Sequence, residues 1–187
     1  MSGRRAVFLD RDGVLVVPSF RNGRSFAPTT LEQFEIYPEA PECLSRLKQA
    51  GFLLVVVTNQ PDVGAGRVRR EIIEEMHMRL RQALPLDAIK VCFHRQNENC
   101  TCRKPLPGLL LEAADELVVD LANSVMIGDR ASDVEAGFAA GCSTVFIDLN
   151  YTAETPPKRV DFTAAGLTEA VNWLLRHRGR PTNDRKT

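Results

Sequence analysis

Short apolar runs recur along the chain at residues 6–9, 52–57, 89–93, 124–127 and 144–147, each giving way to polar, turn-forming residues. Runs of this length without alternation fit strands buried on both faces. Between them, apolar positions fall at helical spacing over residues 41–50, 69–84, 107–117, 132–140 and 167–176. Leu44 and Leu47 mark one buried helix face, with Gly51 as its stop. Ile72, Ile73, Met76 and Leu80 mark another, with charged residues opposite. Strand and helix alternate, which predicts an α/β fold: a Rossmann-like, three-layer αβα arrangement around a mainly parallel central sheet. The unbroken Val55, Val56 and Val57 belong in the middle of that sheet, and Trp173 should pack the last helix onto it. Two stretches break the pattern. Residues 18–37 form a long connection rich in Arg, Gly, Asn and Pro; residues 176–187 read as a basic, disordered tail behind one domain spanning 1–175.

Three of the predicted strands end in groups capable of chemistry. The first runs into Asp10-Arg11-Asp12-Gly13, the second into Thr58-Asn59-Gln60 and the fourth into Gly128-Asp129-Arg130, with Asp133 close behind. In open parallel sheets, ligands bind at the carboxyl ends of strands. An Asp there can attack an electrophile covalently, and a second can work as general acid and base. Thr58 and nearby backbone N–H groups could hold a phosphoryl oxygen, or simply form a strand exit. Lys104, in Arg103-Lys104-Pro105, could bind phosphate or neutralise a nucleophilic carboxylate, or be a solvated surface cation. Asp133 reads equally as a metal-site carboxylate or as a first-turn helix residue favoured by the dipole. Mg²⁺ takes oxygen ligands, typically one or two carboxylates plus phosphate and water, which Asp10 and Asp129 could supply. Convergence of three such strand ends on one sheet edge predicts Mg²⁺-assisted transfer of a phosphoryl group to an aspartate.

The five cysteines are unevenly placed. Cys43 and Cys142 stand alone, whereas Cys92-x-His94-x5-Cys100-x-Cys102 supplies three sulfurs and one imidazole. That is a complete tetrahedral set for Zn²⁺; with no open position, the site should be structural. An odd number of cysteines argues against a disulfide framework. The loop runs directly into Arg103 and Lys104, so zinc would position those cations. Formal net charge is zero with 24 basic and 24 acidic side chains, which gives no electrostatic case for nucleic acid or an anionic membrane. No apolar run approaches a membrane span, and the first strand follows Met1 too soon for a signal peptide. A cytoplasmic location is therefore expected. His77 and His177 read as solvated, and the chain alone does not disclose an oligomeric state.

Asp10-Arg11-Asp12-Gly13, Thr58-Asn59-Gln60, Arg103-Lys104-Pro105 and Gly128-Asp129-Arg130 with Asp133 stand in the order of the haloacid dehalogenase superfamily motifs. The chain resembles that superfamily over roughly residues 5–175. With the Cys and His residues set just before Arg103, it resembles the zinc-bearing branch containing heptose-bisphosphate and histidinol-phosphate phosphatases. The resemblance implies that Asp10 is the nucleophile and that Asp12 protonates the leaving alcohol and then activates water. It implies that Thr58 and Lys104 hold the phosphoryl group, and that Asn59, Arg103 and Arg130 contact substrate. Asp10, the Asp12 carbonyl and Asp129 would hold Mg²⁺. The expected substrate is a small phosphorylated sugar or polyol, foremost a heptose 1,7-bisphosphate losing its 7-phosphate. Residues 18–37 and the segment between Thr58 and Lys104 leave room for no cap domain, so the site should be open. Pro61-Asp62 after Gln60, and the five-residue gap between His94 and Cys100, depart from the heptose pattern and keep histidinol phosphate as the alternative. From another class, a catalytically silent, zinc-stabilised binding module would share the metal loop but has no use for intact Asp10, Asp12, Lys104 and Asp129.

Overall fold

Alternating side chains of the first strand, β1 (Ala6–Leu9), face two different helix layers, which is why all four of its residues are apolar and buried. In the computed structural model, which describes residues 3–177, β1 lies centrally in a six-stranded sheet. The other strands are β4 (Leu53–Asn59), β5 (Ala88–Cys92), β6 (Val125–Gly128), β7 (Ser143–Ile147) and β8 (Phe162–Ala164). Their order is β5-β4-β1-β6-β7-β8, and every pairing is parallel. Val7, Leu9, Leu54, Val56, Val125 and Ile127 pack against α1 (Ala40–Gln49) and α6 (Leu167–His177). Phe8, Val55, Val57 and Met126 pack on the opposite face against α4 (Gly108–Leu117) and α5 (Ala131–Ala140). This is the three-layer α/β architecture that the sequence predicts.

The chain leaves β1 towards β4 and β5, then returns to the other side of β1 for β6, β7 and β8. The reversal creates a crevice at the carboxyl ends of β1 and β6, where sheets of this kind bind ligands. Every predicted strand and helix forms, with ends displaced by one or two residues. Six short elements among the described residues are additional, β8 and a turn at Leu31–Gln33 among them. Within the expected long connection, β2 (Ser19–Arg21) and β3 (Arg24–Phe26) make a hairpin closed by Asn22 and Gly23 at φ 51° and 74°. Pro61–Gly64 forms a single helical turn, α2, with Pro at its start. Leu121–Asn123 is a further short turn. The edge strand β8 is held partly by Trp173 of α6, which stacks on Phe162 at 5.0 Å. The remaining long helix, α3 (Arg70–Ala83), buries Ile73, Met76, His77 and Leu80.

The connection after β1 carries only the hairpin and a short turn at Leu31–Gln33, so no cap domain is present among the described residues. Of the predicted tail, Arg176 and His177 are the final turn of α6, and residues 178–187 lie outside the described residues. No helix among the described residues is long and apolar enough to cross a membrane.

Candidate active site

Asp10 leaves β1 with its backbone N–H bonded to the Ile127 carbonyl of β6 at 2.9 Å, which pins it at the crevice. Lys104 arrives there from the loop between β5 and α4. Its ammonium, almost wholly buried, has three donors and three short contacts: Asp10 Oδ1 at 2.6 Å, Asp133 Oδ1 at 2.6 Å and the Val57 carbonyl at 2.7 Å. Burial alone would lower its pKa, but the charges of Asp10 and Asp133 overcome that and hold it above the ordinary ammonium range. The Asn59 side-chain amide grips the Lys104 backbone through both of its groups, at 3.0 and 3.2 Å. Thus β4 and the β5–α4 loop fix the cation jointly.

Asp133 takes the first-turn helix role and also pairs with Lys104. One carboxylate oxygen accepts from the Arg130 N–H at 3.0 Å and caps α5, while the other meets Lys104. Burial pushes its pKa up to about 6 against the pull of Lys104. Asp129 is driven well above the carboxylate range, first by burial and then by the charges of Asp10 and Asp133. Its Oδ2 accepts from the Tyr151 hydroxyl at 2.7 Å, while Oδ1 is buried without a hydrogen-bond partner. An unpaired carboxylate oxygen beside two further carboxylates is costly unless a cation meets it. Oxygens of Asp10, Asp129 and Asp133 lie within 4.8 Å of one another, a hard donor set that fits Mg²⁺.

Asp12 occupies different surroundings only two residues on. Arg11 Nε donates to its two oxygens at 3.0 and 3.1 Å, and Gln60 Nε2 donates to Oδ2 at 2.9 Å. Gln60 also donates to Thr58 Oγ1 at 2.9 Å, linking the end of β4 to Asp12. Gly13 allows this turn at φ 90°; a Cβ there would lie 2.2 Å from Asp129 Oδ2. Gly13→Ala is therefore expected to cost about 1–3 kcal/mol in denaturant unfolding and to depress turnover at this site by displacing Asp129. An unaltered turnover number would contradict that close approach.

Arg130 extends beyond the crevice to Ser25 of the hairpin, at 3.0 Å to its carbonyl and 2.7 Å to its hydroxyl, and to Glu154 at 3.3 Å. Beside it lies a cavity of about 270 Å³ lined by Asp129, Arg130, Asn150, Tyr151, Thr152 and Glu154, among others. Arg103 stays at the rim, donating to the His94 carbonyl at 3.2 Å.

The cysteine cluster forms directly beside β4, since Cys92 pairs in register with Asn59. Cys92 Sγ lies 3.8 Å from Cys100 Sγ and 3.5 Å from His94 Nδ1, which lies 3.2 Å from Cys102 Sγ. Zn–S bonds of about 2.3 Å in a tetrahedron set sulfur atoms about 3.8 Å apart, so the four ligand atoms fit Zn²⁺. Burial, with the neighbouring Cys92 and Cys100 sulfurs, pushes the Cys102 thiol up to about 12. A bound divalent cation reverses that penalty by favouring thiolate. Gly108 holds this loop close: a Cβ there would meet the Thr101 carbonyl at 2.2 Å.

The sequence reading missed three side chains. Arg11 is fully buried between Asp12 and His77, and His77 is itself buried rather than solvated. The spacing of Ile73, Met76, His77 and Leu80 already put His77 on the apolar stripe. Tyr151 lies on the irregular segment after β7 and stacks on Phe20 of the hairpin at 5.7 Å; no local pattern marks it.

A family model of haloacid dehalogenase-like hydrolases matches residues 24–141, a segment that includes Thr58, Lys104 and Asp129 and begins after Asp12. Curated relatives named D-glycero-beta-D-manno-heptose-1,7-bisphosphate 7-phosphatase include that of Helicobacter pylori strain J99. It is 32% identical over 176 residues, covering 91% of this chain and 97% of that protein. The Escherichia coli K12 relative of the same name is 35% identical over 182 residues, covering 91% of this chain and 87% of that one. Among solved structures, the D,D-heptose 1,7-bisphosphate phosphatase of B. bronchiseptica, complexed with magnesium and phosphate, is similar with a TM-score of 0.79. That match is 26% identical and covers 92% of this chain and 99% of the other. The chain belongs to the haloacid dehalogenase-like hydrolases, and the enzyme is a phosphoric monoester hydrolase.

Proposed function

We propose that this enzyme removes the 7-phosphate of D-glycero-D-manno-heptose 1,7-bisphosphate through an aspartyl-phosphate on Asp10, with Mg²⁺ as cofactor and Zn²⁺ as a structural ion. The observation that carries the reading is the separation of the two carboxylates: Asp10 faces Lys104 in the buried crevice, while Asp12 is held apart by Arg11 and Gln60. A carboxylate oxygen of Asp10 attacks phosphorus as the bond to the sugar oxygen breaks, and Asp12 gives its proton to that departing oxygen. Asp12 then takes a proton from water as the water oxygen attacks the same phosphorus. Inorganic phosphate leaves and the Asp10 carboxylate returns. Lys104 and Thr58 hold the phosphoryl oxygens, and Arg103, Arg130 and Asn59 belong to the substrate-binding surroundings.

Asp10, the Asp12 carbonyl and Asp129 would hold Mg²⁺, which when bound offsets the repulsion between the carboxylate and the phosphate dianion. Cys92, His94, Cys100 and Cys102 would hold zinc, and a reducing cytoplasm suits thiols that must stay free to ligate. Residues 1–175 would act as one phosphatase domain. The names of the relatives support the heptose substrate, and the capless crevice suits a substrate with a bulky remainder.

A panel of heptose 1,7-bisphosphate, histidinol phosphate and other sugar and polyol phosphates, ranked by kcat/KM with Mg²⁺ present, tests this reading. The heptose bisphosphate is expected to lead by at least about tenfold, about 1.4 kcal/mol of differential transition-state binding. Histidinol phosphate in first place would transfer the assignment to the other branch.

A further inference from the structure

Arg11 contributes nothing to the carboxylate cluster around Lys104, yet it is a completely buried cation. One edge of its guanidinium serves Asp12: Nε donates to both carboxylate oxygens and Nη2 lies 3.0 Å from Oδ2. The remaining nitrogen, Nη1, points away into α3 and lies 3.2 Å from His77 Nε2. A guanidinium has no acceptor, so the imidazole must accept at Nε2 and carry its hydrogen on Nδ1. Burial, followed by the charges of Arg11 and Arg81, lowers the His77 pKa to about 3, so the ring is a neutral acceptor at neutral pH. A flat guanidinium held at both ends has its plane fixed; held only at Asp12, it can pivot and take the carboxylate with it.

We propose that His77 is a positioning residue for proton transfer: by holding Arg11 Nη1, it sets the guanidinium plane and thereby aims the Asp12 carboxylate at the leaving-group oxygen. This rests on the reading of Asp12 as the general acid and base. Gln60 restrains Asp12 from the other side, so loss of His77 loosens Asp12 without releasing it. The effect should therefore be selective. A nitrophenolate departs without a proton, whereas a sugar alkoxide requires one.

The test compares kcat/KM of wild type, His77→Leu and His77→Gln on the best sugar phosphate of the panel and on nitrophenyl phosphate. Leucine fills the space without an acceptor; glutamine offers an oxygen to Arg11. His77→Leu is expected to lose about thirtyfold on the sugar phosphate, a fraction of what a general acid supplies, and less than about threefold on the nitrophenyl ester. His77→Gln is expected to recover the sugar-phosphate activity to within about threefold of wild type. Equal losses on the two esters, no loss on the sugar phosphate, or a glutamine variant no better than leucine would each overturn the proposal. If His77→Leu does not fold, His77→Met, which fills the space without an oxygen or nitrogen acceptor and leaves the Arg11–Asp12 contacts in place, is read in the same two assays. Asp10→Asn, run alongside, keeps the two readings distinct. Its retention of activity defeats the underlying mechanism, whereas an inactive Asp10→Asn with no leaving-group discrimination at position 77 defeats only the positioning role.

Discussion

Asp10→Asn is expected to lower turnover of any phosphate monoester by at least about ten thousandfold, as loss of a nucleophile does when the remaining groups cannot replace it. The side-chain volume barely changes and an oxygen remains for Lys104, so the crevice keeps its shape. The electrostatics shift in a direction that protects the fold. Asp10, Asp129 and Asp133 crowd together while only Asp10 and Asp133 meet the Lys104 ammonium, and burial with mutual repulsion raises the pKa values of Asp129 and Asp133. Replacing one of the three by a neutral amide relieves that repulsion, while Lys104 retains Asp133. The melting temperature should therefore hold or rise. The pairing of lost activity with retained stability sets this variant apart from one that simply misfolds. Steady-state assays with Mg²⁺ present, followed by thermal unfolding of the same preparation, measure both. Activity within about tenfold of wild type would remove Asp10 from the reaction.

The two aspartates of this motif are neighbours in sequence and strangers in environment. Asp10 continues β1 into the buried crevice and faces an ammonium. Asp12 is partly exposed beyond the Gly13 turn, with a guanidinium and an amide as donors. Titratable groups in contrasting surroundings can take opposite parts in one reaction. The contrast arises from the fold, because the partners of Asp12 come from Arg11 and from Gln60, just after β4, while the cation facing Asp10 comes from the β5–α4 loop.

Much of this was legible along the chain, for a definite reason. Buried parallel strands are apolar throughout, so their ends are abrupt, and Asp10, Thr58 and Asp129 fall at those ends. Parallel packing then brings the three together without further information. The hairpin was also signalled, by Asn22-Gly23, a pair suited to the φ > 0 turn that joins two strands. Its flanks, only three residues each and largely exposed, carry no alternation to announce them. The strand β8 is equally short and depends on the Phe162–Trp173 stack. Tyr151 was not legible at all. Its place is set by long-range contacts, the Phe20 stack and the Ala153 N–H bonded to the Gly23 carbonyl at 3.0 Å, which bring the hairpin and the irregular segment after β7 together. His77 is the opposite case: its polarity suggests solvent, but its position on the stripe of Ile73, Met76 and Leu80 points inward, and the helix spacing decides.

Loss of zinc is expected to destabilise the protein and silence it together. An ion held by the folded chain at about a thousand times its dissociation constant adds about 4 kcal/mol, which in a domain of this size corresponds to roughly 10 °C in melting temperature. Cys100→Ser is the most informative variant. Cys92 is wholly buried, so changing it also disturbs the core, whereas Cys100 is partly exposed and removes little besides a ligand. The effect on activity follows from Lys104, two residues beyond Cys102, whose ammonium must reach Asp10 at 2.6 Å. The Arg95–Asn99 stretch contributes no buried side chain, so without metal the loop that carries Lys104 is fixed mainly at Lys104 itself, by Asn59 on its backbone and by Asp10, Asp133 and the Val57 carbonyl on its ammonium. A displacement of about 1 Å at such a group costs about a hundredfold in rate. Metal analysis should find one Zn²⁺ per wild-type chain and much less in Cys100→Ser, with both losses appearing in that variant. Depleting wild type with a strong chelator and supplying excess Mg²⁺ should reproduce the defect, and adding Zn²⁺ back should reverse it. A zinc-free wild type with full activity would mean that the four side chains meet for packing alone, and that Lys104 is held by Asn59, Asp133 and the Val57 carbonyl without help.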